Sequence, residues 1–209
     1  MNTLHRRYSP LDRLLIATQK LASLPAPSNL TLEAETPPEF EQQLSATERR
    51  KSAALMRVNH AGEIAAQGLY VGQSITAEQD SVRQLLSSAG EEEKQHLQWC
   101  QQRLNELNDR PSRLTPLWLG GSIAIGALNG LRGDRWSLGF MAETEYQVEK
   151  HLTGHLNKLP ADDHRSREII ERMRNDEGGH RAAAAKAGGI ALPWPVPQLM
   201  KACAKVMTT

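Results

Sequence analysis

Aromatic residues are scarce in this sequence: they make up 4% of 209 residues, against 39% hydrophobic residues overall. The core must therefore come from Leu, Ile, Val, Ala and Met, which suits packed helices better than strands, and an all-α fold is expected. Cysteine is nearly absent. Cys100 and Cys203 lie far apart and form neither a C-x-x-C redox spacing nor a metal-binding one, a usage that fits a reducing compartment. Charge of one sign is not in excess, since 25 basic and 24 acidic residues leave a net charge of +1. Without a basic face, no nucleic-acid partner is expected. Long apolar runs are missing too: none reaches the roughly 20 residues that a membrane-spanning helix needs. This leaves a protein that is soluble or lies on a membrane surface.

What is present divides into residues 1–44 and a domain over 45–209. The first 24 residues are basic at the start and apolar in rhythm, as in a targeting peptide. They lack an unbroken apolar stretch and carry Asp12, which argues against secretion and fits a mitochondrial presequence poorly. A short amphipathic helix over 4–24 is expected, then a proline- and acid-rich linker, PAPSNLTLEAETPPEF. From there Ser45-Ala46-Thr47-Glu48 forms a Ser-x-x-Glu capping box and opens a helix running to about Glu78. Further helices are predicted over about Asp80–Asn108, Trp136–Leu159 and Asp162–Ala187, the last stopped by Gly188-Gly189. Between the first and second of these lies LTPLWLGGSIAIGALNGL, residues 114–131, which carries no charge. It reads either as a buried connecting helix or as a segment that touches lipid. A proline-rich stretch, LPWPVP, leads to a final short apolar helix.

Each of the four long helices carries a carboxylate among the apolar residues of its inward stripe. Glu93 projects with Leu86, Ala89, Cys100 and Leu104, and His96 follows one turn later. Glu177 and His180 repeat the spacing in company with Ile170, Met173 and Ala184. Glu63 shares its direction with Met56, Tyr70 and Ser74, all within about 20° at 100° per residue. Glu145 lies in the stripe of Met141, Val148, Leu152, Leu156 and Leu159. A carboxylate in a core costs several kcal/mol unless something pairs with it, and a metal ion is the strongest such partner.

The pattern is duplicated. A lone inward glutamate precedes a Glu-x-x-His in each half, and this is the ligand set of ferritin-like four-helix bundles that hold two iron or manganese ions. Four carboxylates balance two divalent cations, and two neutral imidazoles complete the shells. Glu92 and Asp176, which precede the two motifs, are candidates for accepting the second ring N–H of the metal-binding histidines. His60 is expected to be a satisfied polar neighbour, and His151 and His155 a flanking or exposed pair. Tyr70 either orients a substrate or fills core.

RVNHAGEIAAQGLYVGQ, EEEKQHLQWC, the Glu145 helix and RNDEGGHRAAAAKAGG together resemble the demethoxyubiquinone hydroxylase family, over most of residues 46–209; YSPLDRLL near the start is similar to bacterial members. The resemblance implies Glu63, Glu93, His96, Glu145, Glu177 and His180 as ligands of two iron ions, with Glu93 and Glu177 bridging by analogy with related bundles. It also implies a monooxygenase of ubiquinone biosynthesis that uses O2 to hydroxylate the ring of a polyprenylated demethoxyquinol. NADH or reduced quinone would supply the electrons, and no Gly-rich dinucleotide fingerprint is visible. A membrane surface and companion biosynthetic proteins are the implied partners. The implied location is the cytoplasmic face of a bacterial inner membrane, or the matrix side of the mitochondrial one. Other di-metal bundles (ferroxidase, rubrerythrin-like peroxidase, manganese catalase) and a lipid-binding helical scaffold are the competing readings. Gly178-Gly179 depart from the family pattern and predict a looser turn inside the second Glu-x-x-His.

Overall fold

The computed structural model describes residues 44–208, and the helix and linker expected before them lie outside the described residues. Among the described residues there are six helices and no strand: α1 Ala46–Thr76, α2 Asp80–Glu106, α3 Thr115–Gly130, α4 Asp134–Leu156, α5 His164–Lys186 and α6 Pro195–Thr208. The ends fall within a few residues of those expected, and the capping chemistry explains where α1 begins. Ser45 N donates to Glu48 Oε2 at 2.9 Å, and Glu48 N donates to Ser45 Oγ at 3.3 Å, so both orphan donors are satisfied.

Helices α1 and α2 form one hairpin and α4 and α5 the other, and together they make a four-helix bundle. Two polar contacts tie the hairpins together. Asp134, at the start of α4, accepts from Glu78 N (3.0 Å) and Gln79 N (2.8 Å), and so holds the turn that leads into α2. Asp163 accepts from Ser166 N (2.9 Å) at the start of α5 and from Arg103 Nη2 (2.9 Å) on α2. Arg103 and Asp163 are both fully buried, so each charge depends on the other.

The crossover helix α3 is not the buried connector that one reading of its composition predicts. It lies along α1 through small residues, Ser122, Gly126 and Gly130, which are its only buried positions. The backbones touch: a Cβ on Gly72 would run into the Ile123 carbonyl, and one on Gly126 into the Leu69 carbonyl. On the opposite side of α3, Leu117 and Leu128 are 62% and 65% exposed, and Leu131 just past its end is 72% exposed. Large apolar residues thus face outward because the close approach to α1 admits only small ones.

In α5 the helix is continuous through Gly178-Gly179. It ends at Gly188, whose φ of 101° suits the left-handed stop expected there.

Candidate metal centre

Two apolar clusters occupy the bundle. One gathers Met56, Trp99, Cys100, Leu104, Leu152, Ile170 and Met173; the other gathers Tyr70, Val82, Leu86, Leu138, Met141 and Ala184. In every one of the four helices the polar residues of the inward stripe fall between these two sets. Glu63 comes from α1, Glu93 and His96 from α2, Glu145 from α4, and Glu177 and His180 from α5. All six are buried.

Their ligand atoms converge into two overlapping groups, within each of which all lie within 4.8 Å of one another. The first contains Glu63, Glu93, His96 and Glu177, and the second Glu93, Glu145, Glu177 and His180. Glu93 and Glu177 belong to both, whereas Glu63 and Glu145 each belong to one. That is the arrangement of two neighbouring cation sites sharing two carboxylates.

The histidines are oriented from outside the cluster, and the orientation is crossed. His96 Nε2 lies 3.1 Å from Asp176 Oδ2 on α5, and His180 Nε2 lies 2.9 Å from Glu92 Oε2 on α2. A carboxylate only accepts, so Nε2 carries the hydrogen in each ring and Nδ1 is turned inward. His96 Nδ1 is 3.0 Å from Glu93 and 3.4 Å from Glu177, and His180 Nδ1 is 3.3 Å from both. The sequence nominates the two acids but not the histidine that each serves. Glu92, four residues before His96 on the same helix, reaches across to His180 of the other hairpin. The side chains of Asp176 and Glu92 are 41% and 59% exposed, so these links are also where the centre meets solvent.

Proton affinities follow from crowding and burial. Burial, then the Glu93 charge, holds the Glu63 carboxyl well above the usual range; burial, then Glu177, does the same for Glu145. For Glu93, burial opposes ionisation, but hydrogen bonds from His180 and His96 outweigh it and lower its pKa. The imidazoles are raised against the pull of burial: His96 by Asp176 and then Glu177, and His180 to about 11 by Glu177 and then Glu93. The cluster thus keeps its charge balanced with protons, and these are what a cation would displace. One oxygen each of Glu93, Glu145 and Glu177 is buried without a well-aligned hydrogen bond, and Glu93 Oε1 and Glu177 Oε1 face a histidine Nδ1 at 3.3 and 3.4 Å. Four carboxylates and two inward Nδ1 atoms fit a pair of divalent ions.

The other residues singled out from sequence lie elsewhere. His60 is buried, with burial lowering its pKa to about 4 and Gln101 as its partner. His151 and His155 pack at a tilt of 55° with ring centroids 3.9 Å apart, outside both ligand groups. His155 is buried rather than exposed, because its helix turns it into the bundle beside Leu152 and Leu156. Tyr70 is 1% exposed, and its hydroxyl has no hydrogen-bond partner. Gln67, not singled out from sequence, is equally buried; its place near the Glu63 direction on the helical wheel was the available signal.

Fold and site together define a ferritin-like di-metal carboxylate bundle. The bacterioferritin-related protein of Bacteroides fragilis, described as a dodecameric thioferritin, has the same fold at a TM-score of 0.57 and 15% identity, covering 70% of this chain and 88% of its own. The chain belongs to the family described as "Ubiquinone biosynthesis protein COQ7", matched over residues 50–209. It is 57% identical over 167 residues to the 3-demethoxyubiquinol 3-hydroxylase of Cupriavidus pinatubonensis, covering 80% of this chain and 81% of that one. The protein of the same name from Bordetella avium is 50% identical over 203 residues, covering 97% and 94%.

Proposed function

We propose that the chain is a 3-demethoxyubiquinol 3-hydroxylase that holds two iron ions in the bundle and inserts one oxygen atom of O2 into the ring of a polyprenylated quinol. The observation that carries this is the pair of buried ligand groups sharing Glu93 and Glu177, in a chain half-identical along most of its length to proteins of that name. Glu63, Glu93, His96 and Glu177 would hold one ion, and Glu93, Glu145, Glu177 and His180 the other. Bound there, ferrous iron would supply open coordination positions and the redox chemistry that zinc lacks. The residues themselves do the rest. Asp176 and Glu92 fix the tautomer and direction of the two imidazoles, the flanking apolar clusters keep water out, and Glu63 and Glu145 gain or lose a proton as the charge of the centre changes.

The electrons are assigned to NADH or to a reduced quinone. A long isoprenoid tail needs an apolar medium, and the outward stripe of α3 supports a place at a membrane surface, on the cytoplasmic side of a bacterial inner membrane. No helix among the described residues is long and apolar enough to cross a membrane. Leu117 and Leu128 are exposed, so Leu117→Glu with Leu128→Glu should fold normally and lose most co-sedimentation with liposomes. Unchanged sedimentation of the folded variant would remove α3 from that role.

The central test is anaerobic reconstitution with Fe(II) followed by reductant and O2, with mass spectrometry of a demethoxyquinol. The expected product is heavier by one oxygen, and Glu177→Ala should abolish it and lower iron below two per chain while leaving the helical signal intact. A reconstituted wild type that binds two irons but does not hydroxylate the ring would refute the assignment.

A further inference from the structure

We propose that Gln67 and Tyr70 grip the quinol ring by its hydroxyl oxygens, forming a polar subsite on α1 beside the metal centre. The inference rests on the quinol-hydroxylase reading above. Both side chains are shut off from water, at 2% and 1% exposure, yet Gln67 Nε2, Gln67 Oε1 and the Tyr70 hydroxyl make no hydrogen bond to the protein. Among the described residues, Gln67 is the one buried amide with both its nitrogen and its oxygen unused. Buried polar groups are nearly always paired, so a donor and an acceptor left open together point to a ligand.

Their position selects the ligand. At 100° per residue Gln67 lies about 40° to one side of the Glu63 direction and Tyr70 about 20° to the other, and a 1.5 Å rise places them roughly 6 and 10 Å further along the helix. They form one strip leading away from a proposed metal ligand. Tyr70 belongs to an apolar cluster that also holds Ala66, Leu86, Ala89, Leu138 and Met141. A flat ring with hydroxyls at its edge matches a strip with apolar walls and two isolated polar heads. A carboxamide both donates and accepts, as does a phenol, so the same pair can hold a quinol hydroxyl or a quinone carbonyl.

The test is binding of a tail-less ring, 2-methoxy-5-methylbenzoquinol, to metal-free protein under argon, read by calorimetry, with the dimethyl ether of that quinol as a second probe. Gln67→Leu and Tyr70→Phe should each weaken binding of the free quinol about tenfold, the loss of one hydrogen bond. The capped ether, which cannot donate and accepts only weakly, should lose clearly less binding in the variants than the free quinol does. Thermal midpoints without ligand should stay level or rise, because each change removes an unmet buried polar group. Variants that bind the free quinol as wild type does would overturn the subsite, as would equal losses for both probes or a fall in midpoint alongside the loss. Normal hydroxylation by iron-loaded wild type in those cases leaves the functional assignment standing. Wild type that neither binds nor hydroxylates the ring overturns both.

Discussion

Loading the centre with two divalent ions is expected to release protons, and the structure sets the count. Without metal, His180 is held protonated up to about pH 11, and His96 is raised as well by Asp176 and the inner glutamates. A ligand imidazole must offer Nδ1 as a lone pair, so both of these protons must leave on binding. Glu63 and Glu145, pushed upward by burial and their neighbours, add what they still carry. The sum is roughly two to four protons per pair of ions near neutral pH. By linkage, the overall constant for two ions should then rise about 10²- to 10⁴-fold per pH unit. Calorimetric titration with Mn(II) or Co(II), in buffers of different ionisation enthalpy, measures the number directly. Stability has the opposite sign in the metal-free protein. A histidine raised from 6.5 to about 11 contributes fully below pH 6.5 and loses that contribution as pH rises toward 11, at about 1.4 kcal/mol per pH unit for His180. Binding that releases less than one proton, with a metal-free protein indifferent to pH between 7 and 9, would refute the charge balance argued here.

The seat of α3 on α1 gives a second prediction. Gly72→Ala and Gly126→Ala force backbone apart and should each cost about 1–3 kcal/mol, whereas Gly178→Ala, with nothing within 4 Å, should be neutral or stabilising. Thermal unfolding checks all three, and equal midpoints would mean the helices do not touch as closely as described. A third concerns acid. Burial lowers the His155 pKa to about 3, so the unfolded chain takes up a proton below pH 6.5 that the folded one refuses. Relative to His155→Gln, wild type should lose about 1.4 kcal/mol per pH unit between pH 6 and 4, measured by denaturant titration.

The sequence determined the helices and the six inward polar residues, and the reason is periodicity. A 3.6-residue repeat aims Glu63, Glu93, Glu145 and Glu177 along apolar stripes whatever their neighbours, and a carboxylate there demands a cation. Capping chemistry fixed the start of α1 for the same local reason. Contacts between hairpins are not periodic, and only the tertiary structure decided them. Which acid serves which histidine depended on α2 and α5 lying side by side, so that Glu92 crosses to His180 and Asp176 to His96. The choice between a buried and an outward-facing α3 was likewise open, because composition reports how apolar a helix is but not which side its small residues must turn to meet another backbone. The open amide of Gln67 lay further still from sequence, since whether a buried polar group is paired depends on every side chain that surrounds it.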